Sequence, residues 1–391
     1  MRAGRGAGWA AALLACLAVA CSQAPASPCD AALGLDESQC AAVRALRLPE
    51  ALPAARGNQY ADVPAAAQLG FLVFFQADVG HGVSCATCHD PSFDFTDRTP
   101  VSTGKAQGTR NAPTTLNAAR LKVLFWDGRA DSVWSQALSP LENPAEMDTS
   151  RLEVAHYLAG RADFKALYET AFGPYPDVSG LPAQGKPGDA AFDGLSAAER
   201  DSVNRVFANL GKAIEAYERK NSSGPAPIDR YLDGDGAAII DAAKRGLSVF
   251  AQKGCIACHA GPLLTDEQFH AVGLADSPSG APDPGALEGV QLLAHSEFSL
   301  SGPYADADTG MTGPPPAPSG AVSGAFRTPS LRSVSVTAPY GHGGTYASLG
   351  ELLAVHASGL SDDDRGALIA FLRTLSGDLP PRPWSTWPST Q

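Results

Sequence analysis

Cys85-Ala-Thr-Cys88-His89, and again Cys255-Ile-Ala-Cys258-His259, decide how this chain is read. In each, two thiols three positions apart can add to the two vinyl groups of one haem, while the adjacent histidine reaches the iron from the same loop. A single CxxCH would also serve a redox dithiol or half a zinc site. Two copies, each preceded by a similar apolar stretch, favour haem. The spacing therefore predicts two haem c groups attached through Cys85, Cys88, Cys255 and Cys258, with His89 and His259 as proximal iron ligands.

Working outward, Pro64 is followed by AAAQLGFLVFFQ, a helical apolar pattern, and AAKRGLSVFAQKG precedes the second motif in the same way. Ser196 and Glu199 form a capping box for a helix running to about Lys220, with Val203, Val206, Phe207, Leu210 and Ile214 on one face. Asn221 to Pro227 is a linker by composition. Ser361 with Asp362 to Asp364 caps a last helix carrying Leu368, Phe371, Leu372 and Leu375. Strand signals are few and short. The expected fold is mainly α, with two cytochrome c-like haem domains in tandem and long irregular loops: 64–220 and 229–377, joined by 221–228, with a tail at 378–391. Residues 22–63 read as a tether and N-terminal extension. The Gly-, Pro- and Ser-rich stretch from Ala275 to Ser323 is a loop of a length that is usually functional or mobile.

The chain has 391 residues and is 44% hydrophobic, enough for a substantial core. Its formal charge of −12, from 41 acidic and 29 basic residues, repels phosphate backbones and anionic lipid surfaces. Nucleic acid is excluded as a partner on that ground, and a basic electron carrier fits better. Arg2 and Arg5 precede an apolar run from Trp9 to Ala20, the pattern of a secretory signal over 1–21, so the mature protein is expected outside the cytoplasm, in the periplasm. Leu17-Ala-Val-Ala-Cys21 resembles a lipoprotein cleavage site, in which lipidation of Cys21 would be the sole membrane attachment; ordinary cleavage nearby is the alternative. Cys29 and Cys40 are expected to pair as a disulfide in an oxidising compartment, a reduced pair being the alternative.

From about Pro64 to Gly377 the chain resembles the bacterial di-haem cytochrome c peroxidase family, which includes MauG-like enzymes. The resemblance rests on both CxxCH motifs and on Arg110-Asn-Ala-Pro-Thr-Thr-Leu-Asn117, Phe125-Trp-Asp-Gly-Arg129, Phe326-Arg-Thr-Pro-Ser-Leu-Arg332 and Thr337-Ala-Pro-Tyr-Gly-His342. It implies a peroxidatic N-terminal haem fed with electrons by the C-terminal haem, with Trp126 at the relay position between them. It further implies Gln136 as the distal-pocket amide and Glu146 as the acid/base carboxylate, a group that can move a proton from the inner to the outer oxygen of peroxide. Many members carry a histidine in the loop after the first CxxCH that caps the peroxidatic haem. Here Thr99-Pro-Val-Ser-Thr-Gly-Lys105 has none, so the first haem is expected to stay open.

At the second haem the resemblance places the distal ligand fourteen residues after His342, at His356, where relatives have methionine or tyrosine. Bis-histidine ligation implies a lower potential than methionine ligation. Asn111 with the carbonyls of Thr337 and Pro339 matches a calcium site, and Arg327 and Arg332 match haem-propionate contacts. The function implied is a periplasmic di-haem peroxidase that reduces hydrogen peroxide with electrons from a small cytochrome c or copper protein. The alternatives are a MauG-like enzyme that oxidises tyrosine or tryptophan of a partner protein, and, from another class, a non-enzymatic electron-transfer cytochrome or haem sensor.

Overall fold

The computed structural model describes residues 33–276, 282–306 and 322–388. Among them the chain runs through helices α1 (Glu37–Arg44), α2 (Pro64–Phe75), α3 (Cys85–Cys88), α4 (Val133–Glu142), α5 (Arg151–Gly160), α6 (Ala162–Phe172), α7 (Ala190–Asp193) and α8 (Ala197–Glu218). There follow α9 (Pro227–Leu232), α10 (Asp241–Gln252), α11 (Ala286–Ala294), α12 (Leu349–His356) and α13 (Asp362–Leu372). The one sheet among the described residues pairs β1 (Phe269–His270) with β2 (Phe326–Arg327) antiparallel, Phe269 opposite Arg327. The mainly helical expectation holds. No described helix is long and apolar enough to cross a membrane.

Local signals account for the helix ends. Ser196 Oγ accepts from the Glu199 amide while the Glu199 carboxylate accepts from the Ser196 amide, so α8 starts where the capping box lies. Ser361 Oγ accepts from the Asp364 amide and starts α13.

Apolar side chains gather into two large clusters. One is built from α2, α4, α5, α6 and α8, with Phe74, Trp134, Leu158, Phe207 and Tyr217 at its centre. The other comes from α9, α10, α12 and α13 around Tyr231, Leu247, Phe250 and Phe371. In both, the helix before the CxxCH motif crosses the closing helix at a glycine. A Cβ on Gly70 of α2 would overlap the Ala213 carbonyl of α8, and one on Gly246 of α10 would overlap the Ala367 carbonyl of α13. Four residues on, Phe74 and Phe250 each pack 6.5 Å, ring to ring, from His89 and His259 respectively. The repeat is thus Gly-x-x-x-Phe in each half, the glycine setting the crossing and the phenylalanine backing the histidine.

The chain ends cross over. Leu33, Val43 and Leu46 of the N-terminal extension are part of the second cluster, where the sequence suggests no more than a clipped extension. Polar bonds fix them there: Leu48 donates its amide to Asp229, and Arg332, paired with Asp229 at 2.8 Å, donates to the Leu46 carbonyl. At the other end Trp384 packs on the first cluster, and Tyr217 donates its hydroxyl to the Trp384 carbonyl. Cys29 and Cys21 lie outside the described residues, so the expected disulfide and lipid anchor do too.

The described part of the Ala275 to Ser323 stretch holds more structure than a bare loop. Its part 282–306 leaves the second half, forms α11 and straps over the first. Phe298 and Tyr304 enter the first cluster. Glu297 pairs with Arg151 at 2.5 Å and Asp306 with Lys212 at 2.7 Å, while Leu300 donates its amide to Asp131. Asp283 takes two bonds from Arg110, whose guanidinium also holds Asp127.

Candidate functional site: two histidine-floored cavities

Each CxxCH motif opens into a cavity. The first, about 800 Å³, is lined by Cys88, His89, Gln136 and Glu146 and is roofed by Leu292, Ser296 and Phe298 of the strap. The second, about 970 Å³, is lined by Cys255, Cys258, His259 and His356. Trp126 belongs to the walls of both. Its indole N–H donates to the Asn111 carbonyl at 2.9 Å, its own carbonyl accepts from the Arg327 amide, and its ring lies 6.3 Å from that of His342. Asn111 in turn donates its amide to the His342 carbonyl. His342 is buried, stacked on Phe326 at 3.6 Å, with Nε2 against Asp276. The motifs Arg110 to Asn117, Phe125 to Arg129, Phe326 to Arg332 and Thr337 to His342 therefore converge on one partition.

The two proximal histidines are oriented alike. His89 Nδ1 donates to the Phe95 carbonyl at 3.2 Å and His259 Nδ1 to the Leu264 carbonyl at 3.0 Å. Both carbonyl residues sit at left-handed φ, which turns the loop back over the ring. A carbonyl accepts only, so the proton is on Nδ1 and Nε2 is left as a ligand. Burial lowers the pKa of His89, and that of His259 to about 4, keeping both rings in the neutral form that metals take.

The residues fit two haems. His259 and His356 face each other with ring centroids 6.4 Å apart and planes near perpendicular. That span matches two metal–nitrogen bonds of about 2 Å each together with the two ring radii. Arg327 is a buried guanidinium on the wall of both cavities, bonded to the Phe125 and Thr328 carbonyls and without an ion pair among the described residues. Burial pushes its pKa down, with Glu267 opposing, and a haem carboxylate beside it would offset that cost. Arg332 also lines the second cavity, but Asp229 and the carbonyls of Pro262 and Leu46 occupy four of its five N–H groups. Of the two arginines, Arg327 has the more freedom to meet a propionate.

In the first cavity His89 is the one imidazole in the lining among the described residues. His81 reaches outward to Glu153 at 3.3 Å. The histidine-free loop is stitched to the acid/base segment, Lys105 donating its amide to the Glu146 carbonyl and Ala106 to that of Ala145. Gly104 lies so close to the Glu146 carbonyl that any Cβ would overlap it. The Glu146 side chain accepts from Asn143 Nδ2 at 2.6 Å. Burial raises its pKa above the ordinary carboxyl range, with Arg129 and Asn143 opposing. Asn111 has its side-chain amide committed to the Thr99 and Pro100 carbonyls, and Thr337 and Pro339 line the second cavity.

Sequence reasoning missed Glu218. It is buried at the end of α8 and lines the first cavity; its carbonyl accepts from the Asn221 amide, while its carboxyl makes no hydrogen bond among the described residues. Burial, with Glu215 adding to it, pushes it up to about 8. A charged residue on a helix reads as solvated until the helix's other neighbours are known.

A family model described as di-haem cytochrome c peroxidase matches residues 64–237. The cytochrome-c peroxidase IdrP2 of Denitromonas iodatirespirans is 32% identical over 350 residues, covering 84% of this chain and 85% of that protein. The chain belongs to the di-haem cytochrome c peroxidase family. Its relatives include both sides of the family: the cytochrome c551 peroxidase of Pseudomonas aeruginosa, 30% identical with 85% of this chain and 84% of that protein covered, and the methylamine utilization protein MauG of Methylophilus methylotrophus, 29% identical with 84% and 87% covered. Among solved structures, a MauG-like protein associated with microbial copper homeostasis superposes with a TM-score of 0.62 at 25% identity, over 87% of this chain and 97% of that one. As a di-haem peroxidase-type oxidoreductase, the chain is an enzyme of a family whose cofactor is haem.

Proposed function

We propose that this member of the family is an exported peroxidase that reduces hydrogen peroxide in the first cavity, with electrons from a small donor protein entering at the second haem and passing through Trp126. The observation that carries this reading is the indole of Trp126 in the wall of both cavities, beside a first cavity lined by the imidazole of His89 and the half-buried carboxyl of Glu146. The functional halves are then 64–220 and 229–377. Cys85, Cys88, Cys255 and Cys258 would anchor the haems, His89 would ligate the first iron, and His259 with His356 the second. When bound, the haems supply iron that exchanges electrons with peroxide and donor.

The protein's own work is to position and to move protons. Glu146 as carboxylate takes the proton from the peroxide oxygen nearer the iron and returns it to the farther one, which can then leave as water. Gln136 offers an amide to orient the peroxide. The strap covers part of the cavity with Leu292 and Phe298, and interactions of the carboxyl are stronger wherever those apolar side chains keep water away. A calcium ion at the partition would take oxygen from Asn111, Thr337 and Pro339.

His356, in place of methionine, favours a second reading. A lower-potential second haem suits storage of oxidising equivalents, as a MauG-like oxidation of tyrosine or tryptophan in a partner protein would need. The test is the optical and electron paramagnetic resonance spectrum of the ferric protein, wild type and His356→Ala, before and after one equivalent of peroxide. One high-spin and one bis-histidine low-spin signal, the latter lost in His356→Ala, with reaction at the first haem, is expected. Two low-spin signals and no reaction would overturn the peroxidase reading and leave an electron-transfer cytochrome.

A further inference from the structure

The C-terminal tail completes an aromatic array that this peroxide reaction leaves unused. Between ring centroids, Phe74 stands 6.5 Å from His89, Tyr217 5.0 Å from Phe74, and Trp384 6.3 Å from Tyr217. A second branch crosses from Tyr217 to Phe75 at 6.2 Å and from there to Trp387 at 5.0 Å. Rings at such separations are in van der Waals contact. The array therefore runs without a gap from the proximal side of the first cavity to the surface.

Its outer end is a half-exposed indole. Trp387 is 47% exposed, so packing alone gives it little, yet it is fixed in place on Phe75 with its N–H directed at Asp90, 3.4 Å away. Tyr217 and Trp384 are likewise locked together by the Tyr217 hydroxyl and the Trp384 carbonyl at 2.9 Å. Indoles and phenols give up an electron far more readily than phenyl rings. Tyr217, Trp384 and Trp387 are thus the stations, and the phenylalanines are the contacts between them.

We propose that Trp387 is a surface oxidation site for electron-rich phenols too large to enter the strap-roofed first cavity, connected to that cavity through Tyr217. The proposal rests on the peroxide-reducing reading above. Each phenol loses one electron to the Trp387 indole and its hydroxyl proton to solvent, becoming a phenoxyl radical. The indole is restored, having passed one electron inward along the array. Two such events supply the two electrons that, with two protons, convert one hydrogen peroxide into two waters. Electrons arriving through Trp126 and electrons arriving through Trp387 then serve the same site from opposite faces.

The experiment uses the holoenzyme, wild type and Trp387→Phe, with two donors: a small cytochrome and a phenol coupled to dextran. Trp387→Phe keeps an aromatic ring on Phe75, and its haem spectrum and circular dichroism check the fold. Expected is unchanged peroxide consumption with the cytochrome and a loss of dextran-phenol oxidation by about an order of magnitude. Peptide mass spectrometry after one equivalent of peroxide with a nitroso spin trap should find an adduct on Trp387 in wild type. Undiminished phenol oxidation in Trp387→Phe, or no adduct at that residue, overturns the relay while the peroxidase reading stands. A wild-type protein that consumes no peroxide with either donor overturns both.

Discussion

At the scale of single residues, Glu146 shows how much a position can be worth once its neighbours are fixed. Read alone it is a polar residue on an acidic chain. In place it is half-buried, bonded to Asn143 and set in the wall of the cavity that His89 also lines. Burial raises its pKa, so as pH falls it is protonated sooner than an ordinary glutamate, and the base form that the reaction needs is lost. Peroxide reactivity should therefore rise with pH through a value above the usual carboxyl range and then level off. Glu146→Gln should remove that limb and slow the reaction by about 10²- to 10⁴-fold. Stopped-flow mixing across pH measures both, and a limb that persists in Glu146→Gln would assign it to another group. The candidate haem cysteines and proximal histidines stand out in the sequence because the CxxCH spacing marks them, and His356 because the family resemblance points to its position. Glu218 was not, since its significance comes from the cavity on one side of α8.

At the scale of elements, the two halves repeat a helix crossing rather than a sequence. The shared Gly-x-x-x-Phe works because the glycine lets two backbones touch and the phenylalanine, one turn later on the same face, lies behind the histidine. Gly70→Leu and Gly246→Leu should each destabilise the protein, by about 1–3 kcal/mol or more, because the opposing atom is backbone and cannot swing aside. Thermal unfolding followed at the Soret band reads this out. An unchanged midpoint for either variant would mean that the crossing is looser than the geometry states. The helices themselves were largely legible: the capping boxes and 3.6-residue periodicity put α8 and α13 within a few residues of their observed ends. The glycine crossing was hidden, because a lone glycine in a helical pattern carries no partner in its own sequence.

At the scale of the whole molecule, the two halves are tied by segments that cross between them. The extension packs into the second cluster, the strap from the second half roofs the first cavity, and the tail covers α2 and α8. Leu46 is fully buried in the second cluster although it precedes the first haem motif. Leu46→Ala should cost about 2–5 kcal/mol and loosen the environment of the second haem while sparing the first. Resonance Raman or magnetic circular dichroism of each haem, with the unfolding midpoint, distinguishes this from a tether, for which neither would change.

Sequence by itself determined the family and enzyme class of this protein and marked the candidates for its chemistry. Covalent attachment needs CxxCH, a capping box needs Ser and Glu three apart, and a histidine-free loop cannot supply a capping imidazole, all of which are local facts. Only the tertiary structure decided that Trp126 walls both cavities, that Arg332 is held by Asp229 while Arg327 has no carboxylate partner among the described residues, and that the chain's ends exchange places. Those depend on contacts between residues tens to hundreds of positions apart, where burial and charge pairing are settled by what the rest of the fold brings near.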